Sequence, residues 1–216
     1  MISFTKKKTK KKKEEIEEES VEEPMMTLAD LIQARTEDIP ESRSIMFVGE
    51  VTEEKAAEFI SALLVLAQTK DEEDERADDI KIYINTYGGS ADEMFAIYDV
   101  MNWCKEFCDV QTIGIGKVMS AGTLILAAGT KGKRYLSSHC RVMIHSVNGG
   151  QVGDLHNLKN EMEQIAGLQD SYIQAMSSET NMTKRQIQTL INKKINVYLD
   201  AEEAIGKGLA DEVWNG

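Results

Sequence analysis

Long apolar runs, paired cysteines and histidines are all scarce in this 216-residue sequence, and each shortage narrows the function. The apolar stretch ISALLVLA at 60–67 is far shorter than the ~20 residues that cross a bilayer, so no membrane association is expected. The N-terminal lysines are followed by glutamates rather than by an apolar segment, which does not fit a secretory signal. Three cysteines, Cys104, Cys108 and Cys140, are an odd number with no metal-ligand spacing around them. Free buried thiols in a reducing, cytoplasmic compartment are the expectation. Excess positive charge is missing too, and a net charge of −12 argues against a general nucleic-acid binder. No internal repeat is evident.

What is present begins with segregated charge. Residues 1–23 carry seven lysines (Lys6–Lys8, Lys10–Lys13) and seven glutamates (Glu14, Glu15, Glu17–Glu19, Glu22, Glu23). That segment sums to zero, so residues 24–216 hold the whole −12. It offers almost nothing to bury and reads as a disordered tail. Residues 24–43, with a short helix in TLADLIQA and Pro40 near the end, read as a connecting segment. The acidic run DEEDERADD at 71–79 reads as an exposed loop.

From residue 44 strands and helices alternate, the mark of an α/β domain with a largely parallel sheet. Strand signals fall at 44–51, 80–85 and 110–116, then in KRYLS and RVMIH. Thr52 can cap a helix to about Thr69, with Ala56, Phe59, Ile60, Leu63, Leu64 and Ala67 on one face. Further helices are expected from TYGGSADE to about Phe107, from Ala121 to Ala128, from Val152 to Thr180 and over 183–194. Asp200 and Glu203 fit a capping box at the start of a last helix.

Ser120, in GIGKVMSAGTLILAAG, falls at the turn between a buried strand and an apolar helix. An N-cap or a small packing residue is the plainer reading. The chemical reading is a nucleophile where helix amides favour developing negative charge. A serine nucleophile needs a base, and the chain has three histidines. His156 and His139 read as surface residues in a polar helix start and a turn. His145 ends the strand RVMIH, and strand ends of α/β sheets converge where ligands bind. Gly88 and Gly89 close another strand, where paired glycines bring backbone amides near a ligand. Three strand ends carrying Gly-Gly, Ser and His together favour a serine hydrolase.

These segments resemble a known family. YINTYGGSADEMFAIYDVM, GIGKVMSAGTLILAAGTKGKRY, RVMIHSVNGG and YLDAEEAIGKGLADEV are similar, in order over about residues 44–214, to the proteolytic subunit of Clp protease, ClpP. The resemblance implies a crotonase-like α/β fold with a protruding handle helix and a serine endopeptidase domain over 44–216. It implies Ser120 as nucleophile, His145 as base, and the amides of Gly89 and Ala121 as the oxyanion hole. Gly88, Ala91 and Asn148 would line the substrate strand. It further implies seven-membered rings stacked in pairs as a tetradecamer, a ring-shaped ATP-dependent (AAA+) unfoldase as partner, unfolded chains or peptides as substrates, and no metal or organic cofactor.

The chain departs from the family pattern in several places, and its N-terminal region does not resemble the family's axial loops that meet an unfoldase. INVYLDAEEA places Asn196 where the family has the triad aspartate, so the imidazolium of His145 would lack a charged partner. Asp200 is a second candidate carboxylate, although helix capping suits it better. Lys194 and Ile195 stand where the family commonly carries a charged pair linking the rings, and HSVNGG lacks the usual proline. Weakened activity is therefore expected. Two other readings stay open: a non-catalytic subunit of a mixed ring, and a dedicated assembly-processing protease on the same fold.

Overall fold

The computed structural model describes residues 42–69, 76–150 and 152–215. The charged tail, the TLADLIQA helix and the first part of the acidic loop lie outside them.

Alternation of β-branched residues builds the centre of the sheet. Ile80, Ile82 and Ile84 of β2 (Ile80–Gly89) face one side and are fully buried. β1 (Ser44–Val51), β3 (Val110–Met119), β4 (Arg134–Ser137) and β7 (Glu212–Trp214) join β2 in the order β1-β2-β3-β4-β7, every pairing parallel. β3 has two partners on one side: β4 along Thr112–Gly114 and β5 (Arg141–Ile144) along Lys117–Met119. β6 (Val197–Leu199) adds antiparallel to β5, with Ile144 opposite Val197. The chain is thus an α/β protein with a mostly parallel sheet, as expected.

α1 (Glu53–Gln68) starts at Thr52, whose side chain accepts from the Lys55 amide, and buries Ala56, Phe59, Leu63, Leu66 and Ala67. α2 (Ala91–Cys104) is capped by Ser90 and buries Met94, Ile97 and Met101. α3 (Ala121–Ala127) is buried on every side, which is why its residues are small or purely aliphatic. α4 (Leu155–Glu179) is the expected handle: its fully buried residues, Tyr172, Ile173, Ala175 and Met176, all lie in its C-terminal half. α5 (Lys184–Ile191) and α6 (Ala201–Gly206) follow, each opened by a capping box. In the second box Asp200 accepts from the Glu203 amide at 2.9 Å, the capping role expected of it.

The strands β6 and β7 escape the sequence reading because three residues each are too few to show a period. β4 is fastened to the segment before β7 by Arg134, whose Nη2 and Nε donate to Asp211 at 2.6 and 2.9 Å. Burial works to raise the Asp211 carboxyl's pKa, and the Arg134 guanidinium overrides it and holds it below the usual range. All three cysteines are free and buried, and burial pushes the Cys104 thiol up to about 11 and the Cys140 thiol to about 12. None is a nucleophile at neutral pH. Among the described residues no helix is long and apolar enough to cross a membrane.

Candidate active site

The strand ends of β2, β3 and β5 meet in one cleft of about 430 Å³. Its lining includes Gly89, Ala91, Ser120, Ala121, His145 and Asn148, so six of the residues singled out from sequence share one cavity. His139 and His156 are exposed elsewhere.

Ser120 follows β3 and precedes α3 in an unusual conformation, φ 54° and ψ −123°. Only Ser120 and Lys194 among described non-glycine residues have positive φ. Such a conformation costs about 1–3 kcal/mol and persists where surrounding contacts impose it. Three do so here. The Ser120 amide donates to Met143 O at 2.8 Å, which ties the turn to β5. The Thr123 hydroxyl donates to Ser120 O at 2.6 Å. Tyr172 of α4 meets that same hydroxyl at 2.7 Å, and with the Thr123 proton already committed the phenol is the donor. Tyr172 is buried, and burial lifts its pKa to about 12, so the phenol keeps its proton.

The side chain of Ser120 makes no capping hydrogen bond to α3. The capping reading of this serine therefore fails: its Oγ lies 2.7 Å from His145 Nε2. The parallel register brings the two strand ends together, with Met119 paired to Met143. Ser120 lies one residue and His145 two residues beyond that pair, so strict alternation would set them on opposite faces, and the positive φ of Ser120 turns its Oγ back to the histidine.

Gly88 (φ 95°) and Gly89 (φ 154°) finish β2 beside this turn. A Cβ on Gly88 would come within 2.5 Å of Ser120 Cβ and 2.8 Å of Met119 O, so only glycine lets the strands approach. Ala121 occupies the first helical position, where the amide has no partner within its own helix.

His145 is half-buried, and burial lowers its pKa below the usual 6.5. Its second ring nitrogen, Nδ1, faces the Asn148 amide, with Nδ2 at 3.4 Å. Asn196 is exposed and no hydrogen bond joins it to the ring. It does directly precede β6, and continuing the register beyond Ile144–Val197 puts it across from His145.

Two features went unread in the sequence. The Thr123–Tyr172 pair braces the serine turn, and its one local trace is a lone hydroxyl three residues after Ser120 in an apolar run. The far wall of the cleft is formed by Glu161, Ile165, Leu168 and Tyr172 of α4, spaced four, three and four apart. That spacing marks one helix face and was legible as a stripe, though not as the wall of a cleft.

A parallel α/β sheet with this serine turn at a strand end has the ClpP fold. The Clp protease family model matches residues 31–216, and the chain belongs to that family. It is 34% identical over 169 residues to ATP-dependent Clp protease proteolytic subunit 2 of Thermobifida fusca (strain YX), covering 78% of this chain and 79% of that protein.

Proposed function

We propose that this chain is a serine endopeptidase that cleaves unfolded polypeptides or peptides. The observation that carries the reading is the 2.7 Å contact between Ser120 Oγ and His145 Nε2, made by a serine whose side chain is withheld from helix capping. His145 Nε2 takes the Ser120 proton as Oγ attacks the scissile carbonyl, and later returns it to the leaving amine. The amides of Gly89 and Ala121 flank the attacked carbonyl and receive its developing negative charge. A substrate segment lies extended between Gly89–Ala91 and Val147–Gly149, adding a strand to the cleft edge. The lowered pKa of His145 suits the role, because the ring is neutral and able to accept at physiological pH.

In this reading the protein assembles as seven-membered rings stacked in pairs, works in the cytoplasm, and receives chains from an ATP-dependent ring unfoldase. Family membership and the relative's name support that assembly. The test is a fluorophosphonate probe together with a short fluorogenic peptide. Labelling at Ser120 with turnover is expected. A folded protein that neither labels nor cleaves would refute the catalytic reading and favour a structural subunit.

A further inference from the structure

A histidine that accepts a proton at Nε2 must keep its own proton on Nδ1, so whatever faces Nδ1 decides whether the base is competent. In this chain the expected carboxylate is replaced by Asn196, which makes no hydrogen bond to the ring. The other carboxylates near by are committed or apart. Asp200 caps α6, and Asp92 and Glu161 line the cleft without bonding the imidazole. The side chain that faces Nδ1 is Asn148, three residues on in the same loop, and the Ser146 backbone also hydrogen-bonds the ring.

We propose that the side-chain amide of Asn148 is the positioning group of His145, its oxygen accepting from Nδ1–H and holding the ring in the tautomer that serves Ser120. The inference rests on the endopeptidase reading above and deepens it. As the side chains lie, Asn148 turns Nδ2 towards Nδ1 at 3.4 Å, a weak contact. That orientation leaves the ring proton on Nε2, directed at Ser120 Oγ, where the base cannot accept. A half-turn about the Asn148 Cβ–Cγ bond exchanges Nδ2 for Oδ1 at nearly the same place. Nδ1–H then donates to Oδ1 and the Nε2 lone pair is free for the serine proton. Because the group is an amide, it selects the tautomer without adding charge against the imidazolium. Asn148 is exposed, so the rotation disturbs no packed neighbour and replacements there leave the fold intact.

The experiment follows histidine-labelled protein by ¹⁵N spectroscopy alongside peptide kinetics, for wild type, Asn148→Ala, Asn148→Asp and Asn196→Ala. Only three histidines have to be distinguished. Asn148→Ala is expected to move His145 towards the Nε2–H tautomer and to lower kcat about tenfold with KM within twofold. Asn148→Asp should restore the Nδ1–H tautomer and kcat, and shift the acid limb of the pH–rate profile upward. The titratable groups sharing the cleft, Asp92 from α2 with Glu161 and Tyr172 from α4, are the same in every variant. The inference is overturned if Asn148→Ala leaves the tautomer unchanged, if it raises KM alone, or if Asn196→Ala produces the tautomer change instead. Absence of turnover and of Ser120 labelling in wild type would defeat the endopeptidase reading, and the tautomer measurement would still decide the role of Asn148.

Discussion

The serine side and the histidine side of the cleft are built by different means. Ser120 is held by backbone and by buried groups: its amide on Met143, its carbonyl under Thr123, Tyr172 behind, and Gly88 pressed against its Cβ. His145 begins a loop that is half-buried through Val147 and exposed from Asn148 to Gly150, and its outer nitrogen meets one side-chain amide at 3.4 Å. The nucleophile is thus placed by the fold, and the base is tuned by side chains that can change without refolding anything. Activity in this chain should be sensitive to shape on one side and to chemistry on the other.

Removing the nucleophile is the largest perturbation. Ser120→Ala is expected to lower kcat by about 10⁴-fold or more and abolish probe labelling while the assembly state stays unchanged. Peptide turnover and analytical ultracentrifugation measure both, and undiminished turnover sinks the assignment. Next, Gly88→Ala tests placement of the nucleophile by shape, since its Cβ would collide with Ser120 Cβ and Met119 O. Displacing a nucleophile by about 1 Å costs on the order of 10²-fold, and a fall in kcat/KM of that size is expected. An effect below threefold would mean that the serine turn is less rigidly imposed than its contacts suggest.

On the histidine side the changes should be gains and shifts. Asn196→Asp brings a carboxylate to the position that the β5–β6 register sets across from His145. A rise in kcat of about tenfold corresponds to about 1.4 kcal/mol of transition-state stabilisation, read from saturation kinetics. A flat response would show that the strand position alone does not let residue 196 reach the ring. The pH profile follows from burial. His145 must be neutral to accept a proton, and burial lowers its pKa. Cleavage should therefore persist below pH 6.5 and fall off only as the pH drops through that lowered value. In Asn196→Asp the acid limb should move upward, because a nearby negative charge favours the imidazolium.

The smallest effect is expected behind the serine. Tyr172→Phe removes one donor from Thr123, whose bond to Ser120 remains. A buried neutral hydrogen bond contributes about 0.5–1.5 kcal/mol, so a loss of that order in denaturant unfolding should accompany a drop in kcat of no more than a fewfold. A much larger catalytic loss would move Tyr172 from bracing the turn to positioning the nucleophile.

Much of this was legible in the residues. Alternating Ile80, Ile82 and Ile84 announced a buried strand, Thr52 and Asp200 announced helix starts, and the order of Gly-Gly, Ser and His at strand ends announced where the chemistry gathers. These are local signals, carried by periods of two and of about 3.6 residues and by capping groups that bond within three residues of themselves. The short strands β6 and β7 were not legible, because three residues carry no period and pair only with strands distant in the chain. The side-chain direction of Ser120 was not legible either: a serine before a helix caps it by default, and only the positive φ imposed on it by contacts with β5 and Thr123 turns Oγ to Nε2. Likewise the sequence pointed to Asn196 as the neighbour of His145, whereas the loop after β5 brings Asn148 to Nδ1. The amino-acid sequence by itself determined which residues form the strands, helices and caps, since those choices depend on neighbours a few positions away. Which polar atoms face one another across the cleft was decided by the tertiary structure, because strand register and loop path place groups 25 and more residues apart to within a hydrogen bond.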